Sequence, residues 1–308
     1  MRLDIRSGHR RPEERHSPGH SVREPSRRLA LPGLQATEVH VLPDRIGRGL
    51  KNTYICLSSK WPMIYIERIY LEDGPEREGQ YWNEIPVIKA VTERGSFEFH
   101  KPVTFIVGEN GMGKSTLLEA IAVCWGFNPE GGTKNMRFST KESHSHLCDH
   151  MRLARGPHYA RDGFFLRAES TYNVATEIDR LRTAGGNGAA FMEQYGGLSL
   201  HDQSHGESFM SIMLNRFRGQ GLYILDEPEA ALSPSRQMAM LSLIKRLVDQ
   251  DSQFIISTHS PILMAYPDAD IIELDETGFR STPYKDTSHY RLTSYFLNNP
   301  EKMLAELM

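Results

Sequence analysis

The stretch GENGMGKST, residues 108–116, decides the fold. It fits the pattern G-x-x-x-x-G-K-[ST], whose glycines let backbone N–H groups converge on a phosphate. The apolar run VTFIV at 103–107 precedes it, and helical spacing of apolar residues follows from about Lys114 to Trp125. A strand, a glycine loop and a helix in this order predict an anion site at a helix N-terminus.

This loop predicts a binding site for ATP. Lys114 would reach the β- and γ-phosphates, and the Ser115 hydroxyl would ligate Mg²⁺. A chance glycine turn is the alternative, but the required strand and helix flank the loop. The predicted nucleotide-binding residues are Gly108, Glu109, Asn110, Gly111, Met112, Gly113, Lys114, Ser115 and Thr116.

A second motif is GLYILDEPEAALS, residues 221–233. Its apolar strand ends in Asp226, a carboxylate that can hold Mg²⁺ beside the loop strand. The next carboxylate, Glu227, can polarise the attacking water. An ordinary helix start with acidic first-turn residues is the alternative, and the preceding phosphate loop favours the catalytic interpretation.

A third motif, FIISTHSP at 254–261, places His259 after a buried strand. Ligands bind at the carboxyl ends of strands in open α/β sheets, so His259 can contact a γ-phosphate oxygen or orient the water. A lone histidine at a strand end is more often structural, and only the two other motifs favour a catalytic role.

The remaining segments alternate between strand-like and helix-like patterns, which predicts an α/β sheet. Strands are expected at 64–71, 85–91, 97–100, 103–107, 163–168, 222–225, 254–257 and, as the last one, 270–274. Helices are expected at 114–125, 145–155, 171–183, 207–217 and 235–250.

With these motifs in this order, residues 62 to about 275 resemble an ABC-type ATPase. Where this chain departs from the family's motifs, it resembles the soluble SMC and RecF-like branch, and more closely small stand-alone bacterial ATPases of the AAA family with GFFLRAES and SHGES segments. The resemblance implies a P-loop NTPase fold, with a mixed sheet and a small helical signature subdomain within about 127–217.

The resemblance also implies a signature segment that binds the γ-phosphate held by a second subunit. Ser204, His205, Gly206 and Glu207 stand where such ATPases carry Ser-Gly-Gly-Gln, so two of the four positions depart from the pattern. A Ser followed three residues later by Glu is also an ordinary capping box, and both interpretations can hold at once.

Glu169 is the third departure, because it follows the strand GFFLRA where the family presents a glutamine. A carboxylate there could still ligate Mg²⁺ or its water. A simple carboxylate at a strand end is the alternative.

Charge is unevenly distributed along the chain. Residues 1–30 carry eight Arg and four acidic residues, whereas the rest has a net charge of −7. We interpret residues 1–61 as a disordered extension, with a basic nucleic-acid tail or a true start at Met63 as alternatives. The acidic body gives no support to a nucleic-acid partner.

Other global features predict a cytoplasmic protein with no membrane span. No apolar run is long enough to cross a bilayer, and no signal peptide is visible. Three widely spaced cysteines, Cys56, Cys124 and Cys148, indicate neither a disulfide framework nor a zinc site.

The leading hypothesis is an ATPase that dimerises head-to-tail on ATP and opens after hydrolysis, coupled to an unknown effector. The alternative is the motor subunit of an ABC transporter. A small-substrate kinase would need neither a signature segment nor His259. A role in DNA repair or phage defence rests on family analogy alone.

Overall fold

A computed structural model describes residues 63–74, 79–136, 145–184, 194–197 and 199–308, and these form two sheets with surrounding helices. The strands are β1 Ile66–Leu71, β2 Phe97–Glu98, β3 Val103–Gly108, β4 Met151–Arg155, β5 Asp162–Arg167, β6 Gly221–Asp226, β7 Gln253–Ser257, β8 Asp270–Asp275 and β9 Gly278–Ser281. The α-helices are α1 Pro86–Arg94, α2 Lys114–Trp125, α3 Leu147–His150, α4 Thr171–Ala184, α5 His205–Arg216, α6 Pro234–Val248, α7 Pro261–Met264, α8 Ser288–Asn298 and α9 Pro300–Leu307.

The larger sheet has the strand order β5-β6-β7-β3-β8-β9. Its first five strands are parallel, and β9 pairs antiparallel with β8. Every residue of β3, β6 and β7 is buried, because cores cover both faces of the sheet. Phe105 packs into one core and Ile106 into the other. The carboxyl ends of these three strands therefore share one edge, which the phosphate loop, Glu227 and His259 follow.

The smaller sheet is antiparallel, with the order β2-β1-β4. A buried glutamine, Gln253, ties it to β7. Its side-chain oxygen accepts the backbone N–H groups of Tyr65 and Ile66 at 2.7 and 2.9 Å, and its amide donates to the Ile66 carbonyl at 3.0 Å. The first described strand is thus fixed to the centre of the domain by three hydrogen bonds.

The prediction of a strand at 85–91 was wrong, because this segment is helix α1. Its β-branched residues are typical of strands, but Pro86 occupies the first helical turn and Gly95 ends the helix in a left-handed conformation. The buried residues Val87, Ile88, Ala90 and Val91 are spaced as one helical face.

Two further segments differ from expectation. The stretch predicted as helix at 145–155 is helical only over Leu147–His150, and Met151–Arg155 continues as β4, which pairs with β1. Strand β8 is followed by β9, so 270–274 is not the last strand. The predicted extension 1–61 lies outside the described residues, and the subdomain boundaries 127–217 stay a prediction.

Candidate functional site

The phosphate loop joins β3 to α2, as its motif predicts. Gly113 has a φ of 91°, and a Cβ atom there would lie 2.1 Å from Cγ2 of Ile85. The backbone N–H of Val87 donates to the Met112 carbonyl at 3.4 Å. The start of α1 therefore packs directly on the loop, and only glycine fits at position 113.

Lys114 lies inside the loop, with only 4% of its surface exposed. Its Nζ donates to the carbonyl oxygens of Gly108 at 2.7 Å and Glu109 at 3.1 Å. Burial lowers the pKa of Lys114, although the nearby carboxylates of Glu227 and Asp226 oppose this shift. An ammonium group held among loop carbonyls is placed to exchange those partners for phosphate oxygens.

Asp226, at the end of β6, is buried and fully engaged. Its Oδ1 accepts the hydroxyls of Ser115 at 3.1 Å and Ser257 at 2.6 Å. Its Oδ2 accepts Nε of Arg167 at 2.9 Å. The structure thus brings together Ser115 and Asp226, the two oxygen ligands proposed for Mg²⁺ from separate motifs.

This donor set fits Mg²⁺. Among the described residues no group of three or more His, Cys, Asp or Glu side chains could hold a metal ion on its own. Mg²⁺ is usually bound by one or two protein oxygens together with substrate phosphates and water, which matches a Ser–Asp pair beside a phosphate loop. Glu169, the third predicted ligand, is exposed beyond the end of β5.

Glu227 directly follows the end of β6. Its φ of 48° is left-handed, which is unusual for a non-glycine residue. Its backbone N–H donates to the carbonyl and hydroxyl oxygens of Ser257, at 3.2 and 3.1 Å. Burial raises the pKa of Glu227, and the carboxylates of Asp226 and Glu169 raise it further. A carboxylate whose proton affinity is raised is a better general base.

His259 lies opposite Glu227 at the carboxyl ends of β7 and β6. Its Nε2 lies 3.5 Å from Oε1 of Glu227. Burial lowers the pKa of His259 to about 4, and the charge of Lys114 contributes to this shift. The imidazole is therefore neutral at neutral pH, and can donate or accept one hydrogen bond at the reacting centre.

Glu229 is a site residue that sequence reasoning missed. Its carboxylate accepts the Thr258 hydroxyl at 2.8 Å and the His259 backbone N–H at 2.5 Å. Burial raises the pKa of Glu229. The side chain fixes the His259 loop to the segment after β6. The only sequence signal was a third acidic residue in the DEPE run.

Arg167 was also missed. Besides its bond to Asp226, it pairs with Glu119 of α2 at 3.1 Å. Arg167 and Asp226 are register partners on β5 and β6. This pairing follows from strand order, so no local motif could reveal it. The guanidinium joins three elements around the proposed metal position.

The signature segment forms the start of α5. The Glu207 carboxylate accepts the Ser204 backbone N–H at 3.0 Å and its hydroxyl at 2.7 Å, and these hydrogen bonds lower the pKa of Glu207. Arg236 pairs with the other Glu207 oxygen at 3.1 Å. Ser204, His205 and Glu207 are exposed. Among the described contacts, the side chains of Ser204 and Glu207 bond to each other, Glu207 also pairs with Arg236, and none of these bonds reaches the phosphate loop.

Gly206 is buried, although its neighbours are exposed. A Cβ atom there would lie 2.5 Å from the carbonyl oxygen of Ala231 and 2.6 Å from the Arg236 guanidinium. The start of α5 therefore presses against the chain that follows Glu227. This contact accounts for glycine at position 206 independently of any phosphate.

Two family comparisons match this part of the chain. An AAA domain matches residues 88–186, and an AAA ATPase domain matches residues 196–264. These matches include the phosphate loop, the signature segment, Glu227 and His259. Both matched regions, residues 88–186 and residues 196–264, are thus similar to AAA ATPase domains. The expected P-loop fold with a mixed sheet is thus confirmed.

The individual proteins that the chain resembles share only a small part of its sequence. The ribose import ATP-binding protein RbsA of Yersinia pestis is 26% identical over 181 residues, covering 52% of this chain and 34% of the relative. The chain thus spans about a third of the length of the curated relatives it matches. Among solved structures, the SMC head domain from Thermotoga maritima is 18% identical, with a TM-score of 0.37, over 71% of this chain and 99% of that one. The cbiO1 protein of Clostridium perfringens, part of an ABC transporter complex, is 16% identical, with a TM-score of 0.42, over 80% and 100%.

Within the described ranges, no helix combines the length and the apolar character that a membrane crossing needs.

Proposed function

We propose that this protein binds ATP with Mg²⁺ and hydrolyses it in a head-to-tail dimer that encloses the nucleotide. The observation that carries this proposal is the approach of Glu227 and His259 to 3.5 Å beside the Lys114 loop. A base, a neutral hydrogen-bonding group and a cation thus converge where the γ-phosphate of a loop-bound nucleotide would lie.

Each residue has a role that follows from its chemistry. Lys114 and the loop N–H groups bind the phosphates, and Ser115 with Asp226 would hold Mg²⁺, which neutralises phosphate charge when bound. Glu227 accepts a proton from the attacking water and aligns it with the γ-phosphorus. His259 binds a γ-phosphate oxygen, and so fixes the group that is transferred to water.

The dimer is proposed because the described side-chain contacts of Ser204 and Glu207 do not include the phosphate loop of their own chain. At the start of α5, Ser204, His205 and Glu207 are exposed although Gly206 is buried, and the donors at Ser204 and Gly206 would reach a γ-phosphate on a second chain when the Glu207 carboxylate releases Ser204. A head-to-tail pair would then bury two nucleotides, each between one phosphate loop and one signature helix.

A Glu227→Gln variant tests this proposal. The amide keeps the shape but cannot accept the proton, so hydrolysis should fall by about 10²-fold or more while ATP still binds. With ATP and Mg²⁺ this variant should elute as a dimer. Adding Ser204→Arg should return it to monomer, whereas adding His158→Arg, on an exposed loop between β4 and β5, should not.

One result would overturn the dimer. If Glu227→Gln binds ATP but stays monomeric at tens of micromolar in light scattering, the nucleotide site is completed by another protein.

A second candidate is the motor subunit of a transporter, favoured by the match to the ribose import ATP-binding protein. His205 and Glu207 in the signature speak against it. Copurification of the Glu227→Gln protein with a membrane protein would favour the transporter. Recovery of a cytoplasmic partner would instead identify the effector, and a role in DNA repair or phage defence is proposed only by analogy.

A further inference from the structure

The histidine at the reacting centre has a second histidine behind it. Nδ1 of His259 lies 2.8 Å from Nε2 of His289, and the two rings meet edge to face with centroids 4.9 Å apart. The outer nitrogens, Nε2 of His259 and Nδ1 of His289, are buried and have no hydrogen-bond partner among the described residues. One hydrogen bond therefore joins the two rings, and one of the rings donates the proton in it.

Which ring donates that proton follows from what lies on the far side. If His259 donated from Nδ1, its bare Nε2 would face the Glu227 carboxylate at 3.5 Å, and two acceptors would oppose each other. If His289 donates from Nε2, the proton of His259 lies on its own Nε2 and points toward Glu227. The second arrangement replaces a repulsion by an attraction, so it is the stable one.

We propose that His289 is a positioning residue that holds His259 in the tautomer whose Nε2–H donates into the ATP site. This inference rests on the proposed function of His259. A donor at Nε2 is what binding of a γ-phosphate oxygen requires, because an unprotonated nitrogen would repel it. The neutral state that a tautomer presupposes agrees with the pKa of His259, which burial lowers to about 4.

His289 is itself held rigidly. It occupies the first turn of α8, whose N-cap Thr287 is buried and accepts the Tyr290 backbone N–H. The Ser288 backbone N–H donates to the buried Glu273 of β8 at 2.8 Å. The Tyr284 hydroxyl donates to the Pro261 carbonyl, two residues beyond His259, at 2.8 Å. Helix α8 thus starts from a frame fixed to both β8 and the His259 loop, as a positioning group needs.

Steady-state hydrolysis and ATP affinity of the full chain test the role. His289→Ala should lower kcat by about tenfold, the scale for loss of a group that orients a reacting histidine, and leave the ATP affinity unchanged. In His289→Gln the amide nitrogen can replace Nε2 as donor, so most of kcat should return. Arg291→Ala, an exposed position on the same helix, is the matched control and should behave as the native protein.

A double variant separates positioning from packing. If His289 acts only through His259, then His259→Ala with His289→Ala should be no slower than His259→Ala alone. Equal loss in the Gln and Ala variants, or losses that multiply in the double variant, would overturn the proposal. If His259→Ala alone hydrolyses ATP at the native rate, the role of His259 under the proposed function fails instead.

A spectroscopic measurement identifies the tautomer directly in the native chain. In the native chain labelled with ¹⁵N-histidine, the resonances that His259→Gln removes should have the shifts of an Nε2–H tautomer. An Nδ1–H tautomer at His259 would overturn the proposal, whatever the hydrolysis rates are.

Discussion

The two sides of the proposed ATP site, a strand side and a signature side, are built differently. On the strand side, Lys114 and Asp226 are buried and hydrogen-bonded within the chain. On the signature side, Ser204 and Glu207 are exposed, and their own cap occupies the donors of the helix start. The half that works within one chain is thus preorganised by the fold. On the side that would meet a second chain, only the Glu207 carboxylate occupies the Ser204 donors, and a phosphate could take its place.

The largest effect should come from the preorganised half. Lys114→Ala removes a buried cation from the phosphates, so ATP affinity should fall by about 10²-fold or more, or about 3 kcal/mol. Calorimetry with ATP and Mg²⁺ measures this, with the exposed Lys89→Ala of α1 as the control. Near-native affinity in Lys114→Ala would refute the assignment of the phosphate loop.

A pair of serine substitutions compares the halves in stability. Ser257→Ala leaves a buried oxygen of Asp226 with one donor fewer, which should cost about 1–3 kcal/mol of unfolding free energy. Ser204→Ala removes an exposed cap hydroxyl but keeps the backbone bond to Glu207, so about 0.5–1 kcal/mol is expected. Urea denaturation measures both. A cost at Ser204 as large as that at Ser257 would abolish the contrast.

The stability that neutral His259 contributes should be lost in acid. The folded-state pKa of His259 is lowered from 6.5 to about 4, so the unfolded chain binds this proton more readily. Stability from this site is complete above about pH 6.5 and is lost as the pH falls to about 4, by about 1–2 kcal/mol with allowance for solvent screening. In melting curves between pH 7 and 4, His259→Gln should lose less stability than the native protein. A His205→Gln protein serves as the control, and equal losses in all three would disprove the claim.

The charge of Glu207, on the signature side, should affect the strength of the ATP-dependent dimer. Glu207 places a negative charge where the γ-phosphate of a second chain would bind, and Arg236 only partly offsets it. Glu207→Gln should therefore tighten the ATP-dependent dimer a few-fold, less so at high salt. The measurement is sedimentation in the Glu227→Gln background, with the exposed Glu93→Gln as the control. Weaker dimers would mean that the cap, and not the charge, governs the contact.

The smallest effect is expected from the N-terminal segment. The first described strand is tied to Gln253 of β7, which lies inside the ATPase domain. A chain that starts near Lys60 should keep its melting temperature and its hydrolysis rate. A drop of several degrees would show that residues 1–61 contribute to the stability of the domain.

The sequence predicted best what depends on neighbours along the chain. Helix α2 has the predicted bounds, and the apolar runs at β3, β6 and β7 were recognised because buried parallel strands need no alternation. Helix α1 was mistaken for a strand since its β-branched residues outweighed Pro86. The segment 145–155 contains a switch from helix to strand, which a single periodicity cannot describe.

For the candidate site, the sequence predicted the residues that lie in local motifs and missed those that are paired over long distances along the chain. Motif residues such as Ser115 and Asp226 meet as expected. Arg167 and His289 could not be found, because their partners are 59 and 30 residues away and become neighbours only through strand order and the return of α8. Long-range pairing of single polar residues leaves no periodic trace in a sequence.

The close approach of Gly206 to Ala231 has a kinetic consequence. A short segment joins Glu227 to Ala231 and Arg236, and this segment packs against the start of α5 without room for a methyl group. In the proposed dimer, Glu227 serves one nucleotide while α5 of the same chain serves the other. Movement of Glu227 at one γ-phosphate would therefore be transmitted through this segment to α5, and so to the second nucleotide. Turnover should then be cooperative in ATP concentration, with a Hill coefficient above one that Gly206→Ala lowers by separating the two contacts.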